Sequence, residues 1–165
     1  MARIVTKIGD VFVVRFEDAT SKYFQYVAID RTMLGSSVIR AFKRSCPTDE
    51  KPALDELVKS EVDFYAHCVL SWGISDHLWE KIGRLPDVGP LDVIFRTSRD
   101  MPMKPGQRLA ISRDWQVWRI SEPRQRVGRL SGENRKAELG VVVAGPEIVE
   151  RMRTGRYTYF YPGFE

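Results

Sequence analysis

The chain has 165 residues, of which 43% are hydrophobic and 29% charged, and a formal net charge of +4. That size and balance support a single folded domain over residues 1–165 and exclude a disordered chain or a scaffold dependent on metal or disulfide staples. No apolar run approaches the roughly 18 residues that a membrane span needs.

The first apolar run, Val11–Phe16, follows a Gly9-Asp10 turn signal. Strand alternation sets Phe12, Val14 and Phe16 against Val11, Val13 and Arg15. The polar stretch Glu17–Ser21 suits a hairpin loop. In the second strand Phe24, Tyr26 and Ala28 share a face, opposite Tyr23, Gln25, Val27 and Ile29. Both faces are largely apolar, which predicts a strand pair covered on two sides. Ser37–Phe42 reads as a third strand, and the short links favour an antiparallel meander. Cys46–Pro52 reads as a polar linker. Pro52 opens a short helix with Leu54, Leu57, Val58 and Val62 on its apolar side.

Phe64–Trp72 is aromatic and branched, and predicts one strand ended by Gly73. A short helix is expected from Ser75-Asp76, with Leu78, Trp79 and Ile82 on one side and a left-handed stop at Gly83. Leu91–Thr97 and Trp115–Ile120 read as strands, separated by an exposed excursion over Ser98–Gly106. Ser121–Lys136 reads as a loop with a short strand near Val127–Leu130. Leu139–Ala144 reads as a buried strand. Gly145-Pro146 opens the best-marked helix. Glu147 lies near its start, Arg151 and Arg153 near its end, and Gly155 stops it. Arg156–Tyr161 alternates aromatics as a last strand. The sum is an α+β fold with three short helices and a mainly antiparallel sheet of about seven strands, strongly curved or barrel-like.

The two cysteines, Cys46 and Cys68, read as reduced thiols, and the N-terminus lacks the long apolar segment of a signal peptide. A cytoplasmic location is therefore expected. Phosphate-loop, dinucleotide and nucleophile-elbow motifs are absent. Cys68 and His67 are strand neighbours and point to opposite faces, so they make no nucleophile–base pair. Cys46 with either histidine has no supporting motif. Asp63, Tyr65 and His67 share a strand face. They form either a hydrogen-bonded polar row or part of a ligand or metal site with Asp76 or His77. No acid–base pairing is recognisable, so no catalytic residue, metal or cofactor is assigned and the chain is read as non-enzymatic.

The charge is unevenly placed. Residues 1–98 carry 13 basic and 14 acidic side chains, whereas residues 99–136 carry 10 basic and 4 acidic. A localised positive field suits an anionic partner. Within it lie Trp115 and Trp118, flanked by Arg113, Arg119, Arg124, Arg126 and Arg129. Tryptophan and arginine are the types enriched at interface hot spots, and they also stack on nucleobases. These seven residues are the expected partner-binding set. Two of the chain's four tryptophans are expected in the core.

Lys7-Ile8-Gly9-Asp10-Val11-Phe12-Val13-Val14, followed by the aromatic strand Tyr23–Ile29, resembles the start of immunity protein family 26, associated with bacterial polymorphic toxin systems. Leu91–Phe95 is similar to a later strand of that family. The resemblance implies a protein that binds a cognate toxin and blocks it without catalysis. Because this chain is basic, the implied toxin presents an acidic or neutral face. The alternative partner is a nucleic acid held by residues 99–136.

Overall fold

The alternation in the first forty residues is realised as a hairpin. The computed structural model describes residues 3–165. In it β1 (Asp10–Arg15) and β2 (Thr20–Asp30) pair antiparallel, with Phe12 opposite Phe24 and Val13 opposite Tyr23. Asp18 closes the turn by accepting the Thr20 amide at 3.0 Å and its hydroxyl at 2.6 Å. A register shift at Tyr26/Ala28 then turns Val27 and Ala28 to the same cluster, so Ala28 leaves the face of Phe24 and Tyr26.

β3 (Ser36–Pro47) runs past its expected end at Phe42, so Cys46 lies in a strand and is buried. Helix α1 (Leu54–Leu57) is a single turn that presses Leu57 on the sheet, and β4 (Val62–Cys68) pairs with β3. The predicted strand Phe64–Trp72 stops at Cys68. Leu70 begins helix α2 (Leu70–Ser75), and the expected helix after Ser75 is instead the strand β5 (Glu80–Arg84), paired with β1. The cause is tertiary. A Cβ at Gly73 would sit 1.9 Å from the Trp79 ring, so the helix rests its glycine on that buried indole. Gly83 therefore lies in a strand rather than capping a helix.

β6 (Ile94–Ser98), β7 (Trp115–Arg119) and β8 (Gln125–Gly128) follow, then a 3-10 turn over Gly132–Lys136. The expected strand Leu139–Ala144 divides. β9 (Glu138–Leu139) joins β6 and β10 (Val142–Val143) joins β4, both in parallel. Gly140 is the pivot: a Cβ there would meet the Trp118 ring at 2.0 Å. Helix α3 (Gly145–Thr154) starts on Pro146 and stops on Gly155 at φ 85°, as its sequence signals demand. The expected final strand does not form. Tyr157, Tyr159 and Tyr161 instead pack on one another as an irregular aromatic segment.

The result is an α+β fold of two open sheets, ordered β10-β4-β3-β2-β1-β5 and β8-β7-β6-β9. Neither closes on itself, which corrects the barrel-like expectation and the count of seven strands: ten strands are present among the described residues. The six-stranded sheet is covered twice, as its two apolar faces predict. Phe12, Phe24, Ile39 and Phe64 face α2 and α3, whereas Val27, Val38 and their neighbours meet Phe95 and Trp118 of the second sheet. Between these apolar patches lies a buried polar tie. The Arg40 guanidinium donates to Gln25 Oε1 at 2.8 and 3.0 Å and to the Val58 carbonyl at 3.1 Å. The Gln25 amide nitrogen in turn donates to the Leu85 and Asp87 carbonyls, both at 3.0 Å, pinning the β5–β6 connection. No described helix is long and apolar enough to cross a membrane.

Candidate functional site

β7 places Trp115 and Trp118 on opposite faces of the second sheet. Trp115 packs with Val117, Leu130 and Phe164; Trp118 packs against the first sheet. Their exposures are 1% and 2%, and each indole N–H is used internally, Trp115 on the Ser112 carbonyl at 3.0 Å and Trp118 on Asp30 Oδ2 at 2.9 Å. Neither offers a ring to a partner. Trp79 is also buried, so three tryptophans are core rather than two, and Trp72 on α2, 69% exposed, is the surface one.

The arginines of the expected set do reach the surface, and the fold sorts them into two groups. Arg113 and Arg129 converge on the Glu165 carboxylate; the Arg113 guanidinium donates to Oε1 and Arg129 to Oε2 at 2.9 Å. Arg135 joins them through the Glu165 carbonyl. Arg126 forks onto Asp114, the residue after Arg113, with two bonds of 2.9 Å. These ion pairs raise the Arg113 and Arg126 guanidinium pKa values and lower that of Glu165. The base of the excursion is fixed by Asp100, whose Oδ2 accepts the Arg113 amide at 2.6 Å and the Asp114 amide at 3.0 Å; these and the Ser112 hydroxyl hold its carboxyl below the usual range. Arg119 and Arg124 stand apart. Arg119, at the other end of β7, pairs with Glu133 at 3.2 Å, and Arg124 lies 5.2 Å over the Trp118 ring.

The polar row on β4 does not open to solvent as a unit. His67 is fully buried between Phe95 and Asp30, and its Nε2 lies 2.8 Å from Asp30 Oδ2. Burial lowers the His67 pKa against the opposing pull of Asp30. Burial alone would raise the Asp30 carboxyl, but hydrogen bonds from His67, Trp118, Met33 and Ser121 bring it below its ordinary value. The pair lies within the larger sheet, and Asp30 ties it to the second sheet through the Trp118 indole. His77 is on the surface after α2. Tyr65 lines a shallow recess of about 260 Å³ with Asp92, Glu133 and Glu138. Cys46 and Cys68 are both free and buried, and burial pushes the Cys68 thiol up to about 12. A protonated, enclosed thiol is inert as a nucleophile.

Thus His67, Cys46 and Cys68 are enclosed, while the arginines of the expected set reach the surface. No family model, curated protein or solved structure matches the chain.

Three arginines or acids outside the expected set belong to the same side of the molecule. Arg96, Glu138 and Arg151 line one cavity with Arg135 and the C-terminal aromatics. Nothing local in the sequence marks them. They come from β6, β9 and α3, and only the parallel joins of β9 and β10 carry them together.

Proposed function

We propose that the chain is a non-catalytic binding protein, an immunity-type inhibitor that binds and neutralises a cognate bacterial toxin. The observation that carries this is the convergence of Arg113, Arg129 and Arg135 on Glu165, with Arg126 beside them on Asp114. Three cations share two carboxylates there, with Arg135 on the Glu165 carbonyl, and an acidic protein face would complete the pairing. The enclosure of His67, Cys46 and Cys68 supports recognition rather than bond-making. The resemblance of the Lys7–Val14 segment to the start of immunity protein family 26 supports the immunity type.

Co-purification from the native host with mass spectrometry of bound partners, followed by co-expression with any toxin recovered, tests this. Restored growth and a stoichiometric complex are expected. Charge reversal by Arg113→Glu with Arg129→Glu should slow association at least tenfold at low salt. Absence of both complex and protection would remove the proposal. The nucleic-acid alternative rests on the same arginines but no longer on Trp115 and Trp118, whose rings are enclosed.

A further inference from the structure

A cavity of about 320 Å³ opens where β6, β9, α3 and the C-terminal segment meet. Arg96, Arg135, Lys136 and Arg151 line it, against one carboxylate, Glu138. Among the described residues, Arg96, Lys136 and Arg151 take part in no salt bridge. The two inner guanidiniums are held by ring faces rather than by acids. Arg96 lies 5.5 Å over Trp115 and 4.9 Å over Phe164; Arg151 lies 4.9 Å over Phe64 and 5.3 Å over Tyr157.

Stacking fixes a guanidinium plane and leaves its edge free to donate. Here the edges are underused. Arg96 donates one bond, to the Ala137 carbonyl, and the Nε atoms of both Arg96 and Arg151 are buried with no hydrogen-bond partner. Those Nε atoms are enclosed, so an incoming anion would meet the outer nitrogens, of which Arg96 Nη2 and both of Arg151 donate no hydrogen bond among the described residues. Two pre-oriented forks with a lysine at the rim match an anion with several acceptor oxygens. A carboxylate would occupy one fork only. The volume lies at the lower end of the range for small-molecule sites, larger than a bare oxyanion requires.

We propose that this cavity binds the phosphomonoester group of a small phosphorylated molecule, with Arg96 and Arg151 as the inner clamp and Lys136 at the mouth. The proposal does not rest on the toxin-binding reading, although Arg135 belongs to both surfaces. Glu138 gives it a pH response. Its carboxylate accepts the Tyr65 amide at 3.2 Å, faces Asp63 from β4, Arg96 from β6 and Arg151 from α3, and lies two residues after Lys136. Burial pushes that carboxyl up to about 7, so lowering the pH through neutrality removes the one negative charge in the cavity.

Calorimetric titration of the full chain at low ionic strength tests this, with sulfate, inorganic phosphate, ribose 5-phosphate and adenosine monophosphate as probes. Saturable binding of at least one phosphomonoester is expected, displaced by sulfate. Equal affinity for the two esters identifies a sugar phosphate as sufficient, and tighter adenosine monophosphate identifies a nucleotide; both support the site. Sulfate, whose charge is constant, should bind more tightly at pH 6 than at pH 8, and Glu138→Gln should abolish that difference. Arg151→Met keeps an apolar stem over Phe64 and Tyr157 and should weaken ester binding about tenfold or more. Lys136→Ala alters only an exposed turn residue and should weaken it several-fold, so the test survives if Arg151→Met fails to fold. Lys59→Ala, an exposed residue that is not part of the cavity lining, should change nothing. No saturable binding of any probe, or equal losses in Lys59→Ala and Lys136→Ala, would overturn the proposal.

Discussion

Asp30 accepts hydrogen bonds from His67 Nε2, the Trp118 indole, the Met33 amide and the Ser121 amide, and all of its side chain is enclosed. It joins the two sheets through one carboxylate. Asp30→Ala would strand those donors away from water, and a loss of about 3–5 kcal/mol is expected by urea denaturation. A loss below about 1 kcal/mol would show that water replaces the carboxylate. Glu138 behaves oppositely. Its carboxyl is pushed up to about 7 by burial, from an ordinary value of 4.5. Between those values the folded chain keeps a proton that the unfolded chain has released. The Glu138 contribution to stability therefore falls as pH rises through that window, and the ionised group costs about 1–3 kcal/mol above it. Glu138→Gln should match the parent near pH 4.5 and exceed it by that amount at pH 8. A difference independent of pH would refute the assignment.

At the scale of elements, the local pattern predicted strand or helix well where one face sufficed and poorly where two elements compete for the same residues. Leu70–Trp72 continues the apolar run of β4, yet it turns into α2 because Gly73 and Trp79 interlock. Trp79 itself is fixed by an edge-on contact with Phe24 at 5.1 Å and by its N–H on the Leu70 carbonyl at 3.2 Å. Gly73→Ala would raise intrinsic helix propensity by about 1 kcal/mol, but the new methyl has only a rigid buried ring to meet. Packing should win, with a net loss of about 1–3 kcal/mol measured by thermal or urea unfolding. A stabilised variant would mean that α2 is free to shift.

Across the whole molecule, charge is segregated by depth. The exposed arginines of residues 99–136 sit over a sheet whose tryptophans are interior, so long-range attraction is strong while aromatic stacking on a partner is closed off. If nucleic acid is the partner, Arg124→Ala with Arg126→Ala should reduce the magnitude of the slope of log affinity against log salt by about two, uniformly across sequences. If a protein is the partner, the same pair should act mainly on the association rate, and short nucleic acids should give no gel shift even at low salt. Filter-binding and stopped-flow measurements on one preparation separate the two.

The order of apolar and polar residues was enough to specify the first hairpin, its double cover, helix α3 with its Pro146 start and Gly155 stop, and the exposed excursion before β7. Those features depend on neighbours within a turn or a strand, where side-chain periodicity and capping act directly. Tertiary structure alone decided that Trp115 and Trp118 are core, that Leu139–Val143 divides between two sheets, and that Arg96, Glu138 and Arg151 share a cavity. Each of those outcomes turns on contacts between segments tens of residues apart, such as Gly140 against Trp118. Periodicity gives the direction of a side chain relative to its own backbone; what fills the space on that side is set by the other elements.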